Sequence, residues 1–389
     1  MGFGILSRII KTILPYKLAL KQEGGINYKL KYLHYAKLAK RKGIVDFRID
    51  RVAGEYAYDW FNVKGVSQED KEWFCQRGLA PHKVNWVGLT KENYKDYISN
   101  FDFYNPRTYV DKNFVEFFEN KLNTYFLLAP FKNDLPKHYW WVDTKGEVYP
   151  LDADSNKKGS FERILKLANE KPIVAKACYG GHGKGFIRYE SLGNGKYLIN
   201  TDEVGETEFI NSVKGLKNYL IQDFLRPCEE LRKTIGEYAY GVIRIVTVND
   251  SDDGPQFVAS VIRIGCKGAG YLTDFPGTIY CGIDLETGRL FQPKMTIKEN
   301  FESEPCPNHP DTNAPLEGVK IPNWDYLCDL VIRVTRTISW IKYVVMDVVP
   351  TEDGFKILEI NSKGQTWVIE PHYPYLKNKY LKRAFGLDK

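Results

Sequence analysis

Two short stretches hold residues whose types and spacing could do chemistry. The first is "KACYGGHGKGF", Lys176 to Phe186, in which Gly180, Gly181, Gly183 and Gly185 surround His182 and Lys184. Glycines let a backbone turn tightly and lie against a ligand, because no Cβ intervenes. Lysines on either side suit an anion. The second is "MDVVPTEDGFKILEINSKG", where Glu359 and Asn361 stand two apart on an apparent strand and so share a face. A five-residue loop centred on Asp353 would put Asp347 directly across from Glu359. The oxygens of Asp347, Glu359 and Asn361 would then converge, a donor set suited to hard Mg²⁺. The apolar residues Val344 to Met346, Val348, Val349, Ile357, Leu358 and Ile360 mark both strands as buried. Carboxylates there need partners.

Spacing excludes the familiar phosphate loops. A P-loop needs G-x-x-x-x-G-K-[ST] before a helix, yet Cys178 holds the first glycine position and Gly185 follows Lys184. A G-x-G-x-x-G fingerprint fails as well, with Phe186 or Arg188 at the last position. What remains is a glycine-rich loop between two strands, "PIVAKACY" and "GFIRYE". Such a loop can fold over a triphosphate as a lid, with Lys176 at the end of its first strand.

The elements that would carry these residues are mixed. The first hundred residues read as helical: "NYKLKYLHYAKLAKRKG" repeats apolar residues at helical spacing and stops at Gly43, and Thr90 is placed to cap "LTKENYKDYISNF". A helix around "DKNFVEFFENKL" is followed by strand-like "YFLLAPF", "HYWWVD" and "EVYPLD". Ser160 caps a helix "GSFERILKLANEK". "KNYLIQDFL" is a strand, "YGVIRIVTVND" and "QFVASVIRIG" form a hairpin, and a helix "WDYLCDLVIRVTRTIS" precedes the last strand pair. Helices followed by antiparallel strands with interspersed helices make an α+β pattern.

Composition is that of an ordinary globular protein, with 43% hydrophobic and 27% charged residues in 389. The seven cysteines are odd in number and irregularly spaced, which points to reduced thiols rather than a disulfide framework. Neither they nor the six scattered histidines show zinc-ligand spacing. The net charge of +6 belongs to the N-terminus: residues 1–50 carry +8 and the rest −2. "MGFGILSRIIKTILPYKLALKQ" is basic and amphipathic, too short and too charged to span a bilayer. It lacks the cleavage site of a signal peptide and the Ser/Thr of a myristoylation signal. It reads either as a helix packed on the body or as one lying on an anionic membrane face. No element for reading nucleic acid is recognisable.

The lysine before a glycine hairpin, "YLIQDF", and D…E-x-N together resemble the ATP-grasp superfamily. More narrowly they resemble its sugar-transfer-associated group, related to TupA-like proteins of surface-polysaccharide synthesis, over roughly residues 85–370. The resemblance implies an ATP-grasp fold, two α+β lobes gripping ATP, here after a helical, basic N-terminal region (1–105). Residues 106–389 would form the ATP-grasp domain, with a lid subdomain at about 160–223 and a metal-bearing lobe at about 224–389. It implies nucleotide lysines at Lys112 and Lys176, a lid of Gly180, Gly181, His182, Gly183, Lys184 and Gly185, and a hinge at "LIQDF" with Gln222 or Asp223 near the ribose. It implies Arg244 at the γ-phosphate or acyl phosphate, Arg263 and Asp274 at positions where the group often has Arg and Asp, and Mg²⁺ on Asp347, Glu359 and Asn361. Arg244, Lys176 and Arg263 are the catalytic candidates.

The activity implied is ADP-forming ligation through an acyl phosphate. The partners are a small-molecule, nucleotide-sugar or lipid-linked saccharide acceptor and an amino acid or other nucleophile. The setting implied is the cytoplasm, with the inner face of the membrane as an option. Phosphotransfer to a sugar hydroxyl and a non-catalytic nucleotide-binding role stay open beside it. Two departures, "FLRPCEEL" and "YGVIRI", fall towards the acceptor side.

Overall fold

A computed structural model of the chain describes residues 25–105, 112–151, 159–180, 185–237, 239–267, 277–296, 302–362, 364 and 366–388, the side chains of 112, 113, 115 and 116 excepted. The readings made on residues 1–22, on the four residues 181–184 of the glycine loop and on Asp274 lie outside these. The described residues fall into two compact units. One draws on 1–112, 296–304 and 366–389, the other on 113–295 and 305–365.

The first unit is helical. In the helix Gly25–Arg41, Tyr28, Tyr35, Leu38 and Ala39 recur on one face and are buried. They meet Val52, Ala53, Tyr56 and Ala57 of the helix Phe47–Asn62. Each large side chain so buried contributes about 1.5–3 kcal/mol. The first helix ends as its sequence suggests. Gly43 turns into the left-handed region at φ +84°, and Ile44 N–H donates to Ala39 C=O at 3.0 Å. Thr90 does accept cap-like bonds, from the N–H groups of Glu92 and Asn93 at 3.2 Å. The chain beyond Thr90 forms a 3-10 turn, Tyr94–Asp96, and then a short helix, Asn100–Phe103, rather than the one continuous helix expected. Within this unit Lys83 Nζ lies 2.8 Å from Glu370 Oε2, both side chains at most 5% exposed, so the segment from Thr366 onwards is tied to the N-terminal helices.

The described strands form two sheets. The first contains β1 (His138–Val142), β2 (Val148–Pro150), β3 (Ile173–Ala177), β4 (Phe186–Gly193), β5 (Lys196–Ile199), β6 (Asp202–Gly205) and β7 (Tyr219–Asp223), in the order β2-β1-β7-β3-β4-β5-β6. The second contains β8 (Gly241–Asp250), β9 (Gly254–Ile264), β10 (Ile279–Ile283), β11 (Leu290–Thr296), β12 (Ser303–Pro305), β13 (Tyr343–Thr351) and β14 (Gly354–Asn361), in the order β12-β11-β10-β9-β8-β13-β14. The pairs β3–β4, β8–β9 and β13–β14 are antiparallel, as are β1–β7, β3–β7 and β8–β13. This is the α+β arrangement expected.

Helices cover the sheets with their apolar stripes. Phe161–Glu170, with Ser160 accepting from Arg163 N–H as its cap, and Glu206–Lys214 bury Ile164, Ala168, Phe209 and Val213 against Ile173, Ala175, Tyr189 and Ile221. Trp324–Thr337 packs on β8 and β9. Asn249 Nδ2 donates to the carbonyls of Thr335, Ile338 and Ile341 at that helix's end. "YFLLAPF" is not a strand. Asn120 Oδ1 accepts from Leu122 N–H, and Lys121–Leu127 is a helix that runs into the 3-10 segment Ala129–Asp134. A seven-residue apolar run has no period long enough to separate the two states, and the Asn cap decided it.

Candidate active site

The carboxylates come together through a bulge. The β13–β14 turn is tighter than expected, with Thr351 opposite Gly354 and only Glu352 and Asp353 between them. That register pairs Val348 with Ile357, and continued regularly it would set Asp347 against Leu358. An irregularity between Asp347 and Val348 instead sets Asp347 against Glu359 and Val345 against Asn361. The pairing of Asp347 with Glu359 is therefore as expected, reached by a two-residue turn plus one extra residue. Asn361 Nδ2 donates to Glu359 Oε1 at 3.2 Å. Flanking Val344, Val345, Met346 and Val348 are fully buried, which holds the polar row in place.

On the other side of β13, Arg244 of β8 faces Asp347 in register. Arg244 Nε and Nη2 donate to Oδ1 and Oδ2 of Asp347 at 2.9 and 2.8 Å, a bidentate pair. Arg263 of β9 adds Nη2 at 3.1 Å from Oδ2. Burial alone would push the Asp347 carboxyl up. The charges of Arg244 and then Arg263 outweigh it, helped by hydrogen bonds from Arg244 and Glu359, and hold it well below the usual carboxylate range. Arg244 and Arg263 thus meet at a carboxylate, each reached from its own strand.

The first sheet supplies the cations. Lys176 stands near the end of β3. Burial is the largest influence and brings its pKa down to about 8; Glu359 opposes this, Lys121 adds to it, and Asp347 opposes it. The lysine is therefore within electrostatic reach of the carboxylate row on the second sheet. The glycine loop joins β3 to β4 as expected, with Lys176 opposite Phe186 and Ala177 N–H donating to Gly185 C=O at 2.9 Å. Gly180 and Gly185 have φ of +124° and +78°, and a Cβ on Gly185 would stand 2.6 Å from that of Ala177. Gly181, His182, Gly183 and Lys184 lie outside the described residues, as does the side chain of Lys112, which opens the helix Lys112–Glu119.

Two residues without a motif in the sequence belong here as well. Lys121 Nζ donates to Gly180 C=O at 2.7 Å, and its N–H to Cys178 C=O at 2.9 Å, so it clamps the start of the glycine loop. Its place just after the break at Asn120 was the one signal available. His138 of β1 pairs with Gln222 of β7, and both line a narrow cleft with Lys121, Leu220, Ile357 and Leu358. Its Nδ1 lies 2.7 Å from Pro136 C=O, which can only accept, so Nδ1 carries the hydrogen and Nε2 the lone pair. Burial and then the charge of Lys176 lower its pKa to about 4, keeping the ring neutral. No local signal marks His138, because β7 lies between β1 and β3 in the sheet.

Of the two hinge residues, Gln222 is buried in the cleft wall. Asp223 is engaged elsewhere: Lys171 Nζ and Tyr139 Oη both lie 2.7 Å from its Oδ1.

The donor set around Glu359 fits Mg²⁺. Glu359 stands opposite Asp347, whose charge Arg244 and Arg263 already meet, so Glu359 and Asn361 offer the hard oxygen donors that suit this ion. Glu359 and the Asn361 amide oxygen are the better placed of the three, since both oxygens of Asp347 already meet guanidinium N–H groups.

Residues 100–372 match the family described as sugar-transfer associated ATP-grasp, and the chain belongs to that family. No curated protein matches it in sequence. Among solved structures it is similar to a purK N5-carboxyaminoimidazole ribonucleotide synthetase in complex with ADP (7% identity, TM-score 0.37, covering 65% of this chain and 46% of that one). It is also similar to the biotin carboxylase domain of the 2-oxoglutarate carboxylase of Hydrogenobacter thermophilus with MgADP (13%, 0.38, 72% and 47%). A third is the D-alanine-D-alanine ligase of Coxiella burnetii (10%, 0.35, 70% and 57%). The chain spans about half the length of these proteins.

Proposed function

We propose that the protein is an ATP-dependent carboxylate–amine, or related acyl, ligase that modifies a sugar acid or amino acid in cell-surface polysaccharide synthesis. The observation that carries this reading is that Lys176, on the strand before the glycine loop, is buried and feels the charge of Glu359, in a chain of the ATP-grasp family. A carboxylate oxygen of the acceptor attacks the γ-phosphorus of ATP, the bond to the β–γ bridging oxygen breaks, and ADP leaves. The amine then attacks the acyl carbon of the acyl phosphate. Phosphate departs and the surplus amine proton passes to solvent.

In this reading Lys176, with Lys112 and Lys184, offsets phosphate charge, and Gly180 to Gly185 close over it. Gln222 lines the wall beside the nucleotide. Arg244 and Arg263, held by Asp347, provide a fixed positive field that needs no reorganisation as charge moves. Mg²⁺ bound by Glu359 and Asn361, with Asp347, would supply charge neutralisation at the phosphates.

The test is product analysis. The protein is given Mg·ATP with pooled nucleotide-sugar uronates and amino acids, and ADP, AMP, phosphate and product masses are followed. ADP with phosphate and a mass equal to acid plus amine less water supports the ligase. A phosphorylated acceptor moves the assignment to a kinase on the same site. Nucleotide that binds and never turns over with any acceptor moves it to a non-catalytic subunit. No described helix is long and apolar enough to cross a membrane. The basic residues 1–22 suit peripheral contact with a lipid-linked acceptor at the inner face of the membrane.

A further inference from the structure

Apart from the residues assigned to nucleotide and Mg²⁺, the fold brings Cys266 to His309 and Asp311, a pair that lies far from it in the sequence. Cys266 lies two residues beyond the end of β9, and His309 and Asp311 lie beyond β12. The Cys266 thiol, one nitrogen of His309 and a carboxylate oxygen of Asp311 all lie within 4.8 Å of one another. We propose that Cys266, His309 and Asp311 form a binding site for a borderline-soft divalent cation of the zinc class, separate in chemistry from the Mg²⁺ donors.

The groups around the three residues favour this. His309 is fully buried, and its Nε2 lies 3.2 Å from Gly265 C=O. A carbonyl only accepts, so Nε2 carries the hydrogen and the lone pair sits on Nδ1, the arrangement in which a ligating imidazole is usually held. That lone pair receives Asp311 N–H at 3.2 Å, a contact a metal would replace. Asp311 Oδ2 accepts from Lys267 N–H at 2.6 Å, which orients the carboxylate. Cys266 is one of seven free thiols.

Ligand atoms on tetrahedral zinc stand about 3.5 Å apart, given bonds of roughly 2.0–2.3 Å. Closing the present cluster takes a shift of about 1 Å, within reach of the exposed Asp311 and half-buried Cys266 side chains. Three protein ligands leave a fourth position for water. Thiolate and imidazole select zinc-like ions, whereas Mg²⁺ prefers oxygen donors alone. Binding replaces the S–H bond of Cys266 by a sulfur–metal bond and releases that proton to solvent. The cation would pin the chain just after Arg263 to the segment around His309.

The experiment uses the full chain, reduced and stripped with a chelator, titrated with Co²⁺ alone. One Co²⁺ per chain is expected, with thiolate-to-cobalt charge-transfer absorption, release of one proton, displacement by Zn²⁺ and indifference to excess Mg²⁺. Cys266→Ser should abolish the absorption, and Asp311→Asn should weaken binding roughly tenfold or more. Cys328→Ser, a half-buried thiol on the helix Trp324–Thr337, should leave both unchanged. Absence of the absorption in the wild-type chain, or its survival in Cys266→Ser, overturns the proposal. Metal-free melting shows whether Cys266→Ser is folded. If it is not, the exposed Asp311→Asn decides, and undiminished affinity there overturns the proposal. No readout depends on ATP turnover, so the result stands apart from the ligase reading.

Discussion

At the scale of the residue, Lys176 is the side chain on which most depends. Burial brings its pKa to about 8 against an unperturbed value of about 10.4. In the free protein it therefore loses its proton as the pH rises through about 8, and the cation proposed to meet phosphate is lost with it. ATP affinity should fall above that pH. Near pH 8, binding should take up a fraction of a proton, measurable by calorimetry in buffers of different ionisation enthalpy. Lys176→Arg should flatten the pH dependence. Lys176→Ala should lower ATP turnover about 100-fold or more, as loss of one charge-stabilising donor does; a variant as fast as wild type would sink the proposed mechanism. The linkage to stability has its own sign. Between about pH 8 and 10 the unfolded chain binds the proton more tightly, so this group's unfavourable contribution is full below pH 8 and fades as the pH rises.

At the scale of the element, the base of the glycine loop is where backbone geometry leaves least choice. Gly185 combines φ +78° with 2.6 Å from its would-be Cβ to that of Ala177. Gly185→Ala carries the left-handed penalty of about 1–2 kcal/mol as well as that overlap. The melting temperature should drop and ATP affinity should weaken, while Gly195→Ala serves as a contrast, since its positive φ of +72° has open space around it. Equal effects of the two substitutions would show that the contact with Ala177 is irrelevant. The bulge beside Asp347 belongs to this scale too. It lets one short turn satisfy the backbone while Asp347 still faces Glu359.

At the scale of the whole molecule, the buried pair Lys83–Glu370 joins the chain's two ends within one helical unit. Removing one partner strands the other charge in a dry interior. Lys83→Met should lower the unfolding free energy by about 3–5 kcal/mol, read from urea denaturation. Adding Glu370→Leu should recover much of the loss, since replacing a whole buried pair with apolar groups is often close to neutral. A double variant no better than the single one would mean that packing, not charge, is at stake.

What the sequence determined by itself was local and periodic. Alternation and turn residues gave β8, β9, β13 and β14, helical spacing gave the N-terminal helices, and the order of lysine, glycine loop and D…E-x-N pointed to the ATP-grasp family that residues 100–372 match. The pairing of the two strands that carry Asp347, Glu359 and Asn361 was legible, because a short turn must fold one strand back on the other, whereas the bulge that sets Asp347 against Glu359 left no mark in the sequence. The tertiary structure alone decided what depends on non-neighbouring strands and on burial. It brought Arg244 and Arg263 onto Asp347, although residues 244 and 347 are far apart in the chain. It set Lys121 against the glycine loop, and it keeps His138 neutral by burying it and then by the charge of Lys176 across an intervening strand. It also gathered Cys266, His309 and Asp311, whose spacing in the chain resembles no metal motif. Charge interactions act over a few ångströms in space whatever the separation in sequence, so only the folded chain could reveal them.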